Sequence, residues 1–123
     1  MTESSPFTFR FLEDFGVPLK RVRAGERLFA AGEPGDQMFL VLEGKVDVRV
    51  REATVEIVGL HGVVGEMALL DQAPRSASAV AQTPCEVAVI DRETFFDLVR
   101  EEPSFALYVM RVMANRIRKM KTA

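Results

Sequence analysis

Between Leu19 and Ile90, glycine and proline cut most of the chain into short segments. Turn clusters stand at Ala24-Gly25-Glu26, at Ala31-Gly32-Glu33-Pro34-Gly35-Asp36 and at Glu43-Gly44. Glycine supplies positive φ in such turns and proline fixes its own φ. The pieces between them read as strands. Met38 to Leu42 is a continuous apolar run, as expected of a strand buried on both faces. Lys45 to Val50 alternates charge with valine, the pattern of a strand with one wet face. Lys20–Arg23, Arg27–Ala30, Val55–Leu60, Ala77–Gln82 and Glu86–Ile90 add further strands, the last two meeting at Thr83-Pro84. Many short strands joined by glycine-rich turns imply a sandwich or barrel of the jelly-roll kind.

The period changes at both ends. Phe7, Phe11, Leu12 and Phe15 fall on one helical face, and Gly16-Val17-Pro18 stops that helix. Asp91 is an N-cap for a helix carrying Phe95, Phe96, Leu98 and Val99. Glu102-Pro103 interrupts it, and Ser104 is placed to cap a last helix from Phe105 to about Lys121. The stripe of that helix (Leu107, Val109, Met110, Val112, Met113, Ile117, Met120) is wider than a small barrel needs. Half of it is expected to cover the domain and half to meet another chain, a downstream protein or a second copy. Arg116, Arg118, Lys119 and Lys121 near its end suit the helix macrodipole. The expected organisation is one domain: helix and linker over 1–18, β jelly-roll over 19–90, helices over 91–123.

Composition narrows the function classes. A formal net charge of -2 over 123 residues gives no field that gathers nucleic acid or anionic membranes. No apolar run reaches membrane-span length, and Met1 to Ser5 is no signal peptide. One cysteine, Cys85, and one histidine, His61, exclude a disulfide framework, a cysteine-held cluster and a multi-histidine metal site. Cys85 lies in an apolar run where inert, buried cysteines are usual, and His61 reads as a turn residue. The expectation is a cytoplasmic protein that is not an enzyme and carries no metal.

The stretch that carries chemistry is Gly65-Glu66-Met67-Ala68-Leu69-Leu70, followed by Pro74-Arg75-Ser76-Ala77-Ser78. It brings a carboxylate and a guanidinium together where the chain leaves a sheet, makes a brief helical turn and returns. It resembles the phosphate-binding cassette of cyclic-nucleotide-binding domains, Gly-Glu-aliphatic-Ala-Leu and then Pro-Arg-x-Ala-Thr or close to it. Gly25, Gly32, Gly35, Asp36, Phe39 and Gly44 match the family's punctuation, so the likeness covers about Leu19 to Lys121. Two departures stand out: His61-Gly62-Val63-Val64 where many members have Pro-Gly, and Ser78 where threonine is common.

The resemblance implies a fold that is mainly β with flanking helices: an eight-stranded antiparallel jelly-roll, or double-stranded β-helix. One N-terminal helix, a short cassette helix and two C-terminal helices acting as hinge and lid complete it. It implies cAMP or cGMP as ligand, with Gly65, Glu66, Met67, Ala68, Arg75, Ser76, Ala77 and Ser78 in contact. Arg75 then holds the phosphate in bidentate fashion, helped by the backbone opening the cassette helix and by the Ser76 and Ala77 N–H groups. Glu66 accepts from the ribose 2′-hydroxyl. Serine at position 76 leans the preference to cAMP. Leu69 or Leu70 would press on the Phe95/Phe96 region, and the final helix would close as a lid between about Arg111 and Met120. The whole reads as a stand-alone sensor, like the sensory half of a bacterial cAMP-receptor-type regulator. The alternative is a module that kept the fold, lost the ligand and serves interaction or dimerisation through its last helix.

Overall fold

The structure, a computed structural model, describes residues 9–122, and side chains from Phe9 to Lys119. Phe7 and the side chains of Met120 and Lys121, to which the sequence gives roles, lie outside that range. Eight strands form two four-stranded antiparallel sheets. One has the order β1 (Leu19–Val22), β8 (Cys85–Asp91), β3 (Gln37–Glu43), β6 (Val63–Val64). The other runs β2 (Arg27–Phe29), β7 (Ser78–Ala81), β4 (Val46–Val50), β5 (Ala53–Val58). This is the jelly-roll, mainly β with flanking helices.

Two cores account for its stability, and β3 belongs to both. Phe39 and Val41 join Val22, Val46, Val58, Val64, Ala79, Ala81, Cys85 and Val87 between the sheets. Met38 and Leu40, on the opposite side of the strand, join Val63, Ala88 and Ile90 under the helices. The continuous apolar run is thus buried on both faces, as its sequence requires. Helix α1 (Arg10–Asp14) delivers Leu12 to the outer core, and Gly16, at φ +80°, ends it. Helix α3 (Arg92–Glu101) contributes Leu98. Its cap is Asp91, whose Oδ1 accepts from the Thr94 N–H at 2.8 Å. That backbone bond holds the Asp91 carboxyl below its ordinary value.

Helix α4 (Ser104–Thr122) covers the same core with Phe105 and Val109. Ser104 is its first helical residue, and its hydroxyl donates to Glu102 Oε2 at 2.7 Å. Leu107, Met110 and Ile117 are exposed on the opposite side. A second difference concerns β4. Asp47, read as part of a wet face, is only 5% exposed. Arg49 Nε donates to its Oδ2 at 2.8 Å and Thr54 Oγ1 to its Oδ1 at 2.7 Å. Those bonds, Thr54 first, hold its carboxyl below the usual range. On the other face of β4, burial falls from Val46 to Val50: Val48 still packs against the inner core, and Val48 and Val50 both line a cavity.

Candidate functional site

Between β6 and β7 the chain makes helix α2 (Glu66–Asp71), with left-handed residues at both ends: Gly65 at φ +80° and Gln72 at φ +59°. Two features make position 65 a glycine. Its φ disfavours any side chain, and a Cβ there would lie 2.7 Å from Arg75 Nη1 and 3.1 Å from the Phe29 ring. Leu69, near the end of α2, is buried in the outer core with Leu98 and Phe105, and Arg92 Nη1 donates to its carbonyl. Leu70 is exposed. The cassette helix is thus anchored to α3 through Leu69.

A cavity of about 380 Å³ opens beside α2. Of the residues expected to touch ligand, Gly65, Glu66, Met67, Ala68, Arg75, Ser76 and Ala77 line it. Ser78 does not line it; it opens β7, and its hydroxyl accepts from the Ala31 N–H at 2.9 Å.

Arg75 is the unusual residue. It is 8% exposed, and among the described residues no carboxylate pairs with it. Its Nη1 donates to the Gly65 carbonyl at 2.9 Å and its Nη2 to the Gln37 carbonyl at 2.8 Å. The guanidinium carbon lies 4.0 Å from the centroid of the Phe29 ring. Buried Nε has no partner. Leaving a buried donor unsatisfied costs about 1–3 kcal/mol, against roughly 0.5–2 kcal/mol for a cation–π contact. Burial accordingly pushes the Arg75 guanidinium down, opposed by the charges of Asp36, Glu33 and Glu66.

The dense turn between β2 and β3 is what holds this arginine. Arg75 N–H donates to the Glu33 carbonyl at 2.9 Å, and Gly32 N–H to the Arg75 carbonyl at 2.8 Å. A Cβ on Gly35 would run into the guanidinium itself. Turn chemistry alone gives no sign of this role.

Glu66 is 5% exposed and does not pair with Arg75. Its Oε2 takes Nη1 of Arg116 at 2.8 Å, a residue fifty positions away on α4. Arg116 Nη2 also donates to the Val63 carbonyl, and Nε lies 2.9 Å from Oε1 of Glu56 on β5. Arg116 and Glu56 both line the cavity, and the sequence reading missed both. A signal for each was present. Arg116 continues the stripe of Phe105, Val109 and Val112 at helical spacing, so it falls on the buried side, where a cation demands a partner. Glu56 stands two residues before buried Val58, on the inward side of its strand.

Chemically, the cavity offers a buried cation with no carboxylate in ion-pair contact among the described residues, a carboxylate braced from a distant helix, and an apolar wall of Val48, Val50 and Val55. Such a set suits a small, singly charged anion with hydroxyl and apolar parts. Among the described residues no group of three or more histidine, cysteine or carboxylate side chains could hold a metal, and no helix is long and apolar enough to cross a membrane.

Comparison with known proteins agrees with this chemistry. A family model described as "Cyclic nucleotide-binding domain" matches residues 19–102. The CRP-like cAMP-activated global transcriptional regulator of Mycobacterium tuberculosis is 31% identical over 100 residues, 77% of this chain and 45% of the regulator. The chain thus spans less than half of that relative's length. The crystal structure of the Thermus thermophilus catabolite activator protein superposes with a TM-score of 0.81 at 28% identity, covering 95% of this chain and 58% of that one. A structure from work on a cyclic-GMP-dependent signalling pathway in bacterial phytopathogenesis matches with a TM-score of 0.76 at 27% identity, over 94% of this chain and 98% of that one.

Proposed function

The chain belongs to the family of cyclic nucleotide-binding domains, and we propose that it binds a 3′,5′-cyclic nucleotide, cAMP over cGMP, as a regulatory sensor. The observation that carries this reading is Arg75, a nearly buried guanidinium in a cavity wall with no carboxylate partner and an unsatisfied Nε. A cyclic phosphodiester bears one charge on two free oxygens, which a guanidinium meets in planar, bidentate fashion. Only two of the five guanidinium N–H groups are engaged by carbonyls, so donors remain for it. The Ser76 and Ala77 N–H groups and the opening of α2 complete the phosphate site, and Gly65 admits a close approach.

Glu66 takes the ribose 2′-hydroxyl. Arg116 occupies only its Oε2, so Oε1 stays available. Ser76 keeps the preference with cAMP, the nucleotide that activates the mycobacterial relative by its name. Binding is passed on through α2 to α3 by Leu69, and to α4 by Arg116. Met67 and Ala68 bound the pocket, and Ser78 acts indirectly, by fixing the start of β7 to Ala31. No bond is made or broken in this scheme, so the domain acts by binding rather than catalysis.

Calorimetric titration with cAMP and cGMP, with Arg75→Ala alongside, tests it. Micromolar or tighter binding is expected, with roughly 2–5 kcal/mol lost in the variant because a charge-assisted pair loses one side. Absence of heat with both nucleotides, or full affinity in Arg75→Ala, would refute the reading.

A further inference from the structure

The cavity wall holds a carboxylate that the binding scheme leaves unused. Three carboxylates line the cavity: Glu66, Asp71 and Glu56. Glu66 is assigned to the ribose. Asp71 is occupied locally, its Oδ1 accepting from the Ala73 N–H at 3.0 Å. Glu56 remains. It lies on β5 opposite Val48 and beside Val55, within the apolar part of the wall. Arg116 Nε lies 2.9 Å from its Oε1 and 3.2 Å from its Oε2.

Once the phosphate and sugar are allotted to Arg75 and Glu66, the part of the ligand without a polar partner is the base. The apolar wall of Val48, Val50 and Val55 suits its face, and one carboxylate stands among those valines. A carboxylate offers about four acceptor positions, and a single N–H from Arg116 leaves most of them open. The Glu56 side chain is 32% exposed, so those positions are not sealed by protein.

We propose that Glu56 is a specificity-determining residue, accepting a hydrogen bond from an N–H group on the edge of the bound base. This rests on the cyclic-nucleotide reading above. The shared chemistry is a purine with a donor edge. Adenine offers its 6-amino group; guanine offers N1–H and the 2-amino group side by side, a match for both carboxylate oxygens. An ionised carboxylate has no proton to give, so a bare ring nitrogen or oxo group opposite it is rejected. Arg116 acts as a positioning residue, holding the carboxylate in place.

The test uses two pairs of ligands on the full chain. One is cAMP against its 6-deamino analogue, purine riboside 3′,5′-cyclic monophosphate. The other is cGMP against inosine 3′,5′-cyclic monophosphate, which lacks the 2-amino group. Each is titrated calorimetrically into wild type, Glu56→Gln and Glu56→Ala, with a thermal melt of each variant. Wild type is expected to favour the amino-bearing member of the pair it binds by roughly tenfold to a hundredfold, the range for a hydrogen bond to a charged group. That preference shrinks to under about threefold in Glu56→Ala, and survives in part in Glu56→Gln, whose amide oxygen still accepts. The pair that responds identifies the adenine or guanine edge. Equal binding of both members by wild type, or a preference that persists in Glu56→Ala, overturns the assignment of Glu56 while leaving cyclic-nucleotide binding intact. Failure of every cyclic nucleotide to bind wild type overturns the ligand reading, and this inference with it.

Discussion

Arg75 sits in a mould made by two residues with no side chain. A Cβ at position 35 would collide with its guanidinium, and one at position 65 would crowd Nη1. Gly35→Ala should therefore push the arginine out of place, costing roughly 1–3 kcal/mol in an overpacked site and most of the nucleotide affinity. Gly59→Ala is the control, since nothing lies within 4 Å of its added Cβ and its φ is not in the left-handed region. Thermal melts and titrations of the two variants should separate cleanly. His61 illustrates a second single-residue effect. Its imidazole stacks on Phe9 at a centroid distance of 3.7 Å, and its carbonyl accepts from the Tyr108 hydroxyl. Burial lowers its pKa below 6.5. The unfolded chain therefore binds the proton more readily than the folded one, so this contribution to stability is complete above pH 6.5 and is lost as pH falls through the lower folded value. Melting temperature should drop on acidification from pH 7 towards 5.5. It should drop less in His61→Asn, which tolerates the φ of +66° at that position.

At the level of elements, α4 meets the sandwich along most of its length. Its first half packs Phe105 and Val109 into the outer core, while its second half reaches the cavity through Arg116. Removing that guanidinium leaves Glu66 buried without its partner, at a local cost of roughly 1–3 kcal/mol. Arg116→Ala should accelerate amide exchange in α4 beyond Val112 and leave exchange around Val109 near the wild-type rate. Uniform acceleration along the helix would mean that Arg116 is not the tie. The elements themselves were mostly legible in sequence, because turn clusters and period changes mark them directly. Strand β6 was not, since two residues, Val63 and Val64, are too few to show a period. The cassette was legible as a motif, and the ring of residues around it was not. Phe29, Glu56 and Arg116 come from β2, β5 and α4, and only the fold brings them together. Asp47 failed for a related reason: alternation says which side a residue takes, not whether Thr54 and Arg49 will close over it.

For the whole molecule, the described part of α4 leaves an apolar stripe exposed. Leu107, Met110, Ala114 and Ile117 recur at steps of three and four, the spacing of a helix–helix seam. Leu107 is 51%, Met110 55% and Ile117 53% exposed. A second copy of the chain, packing α4 against α4, would cover them. Sedimentation equilibrium should then report a concentration-dependent dimer that Ile117→Glu abolishes while leaving the nucleotide site filled. A monomer at all concentrations would leave that side to a different protein.

One strand, β3, lies between the two cores, with Met38 and Leu40 serving one and Phe39 and Val41 the other, while β6 and β8 flank it in the same sheet. Seen mechanically, it is a stiff plate clamped along both edges and loaded on both faces. Close-packed interiors yield little under load, so a push from the nucleotide side is not absorbed by bending the sandwich. The part expected to move is the helical layer, whose far end Arg116 ties to the cavity wall. The expected output of the domain is therefore a helix sliding across a rigid floor, with the barrel keeping its shape throughout.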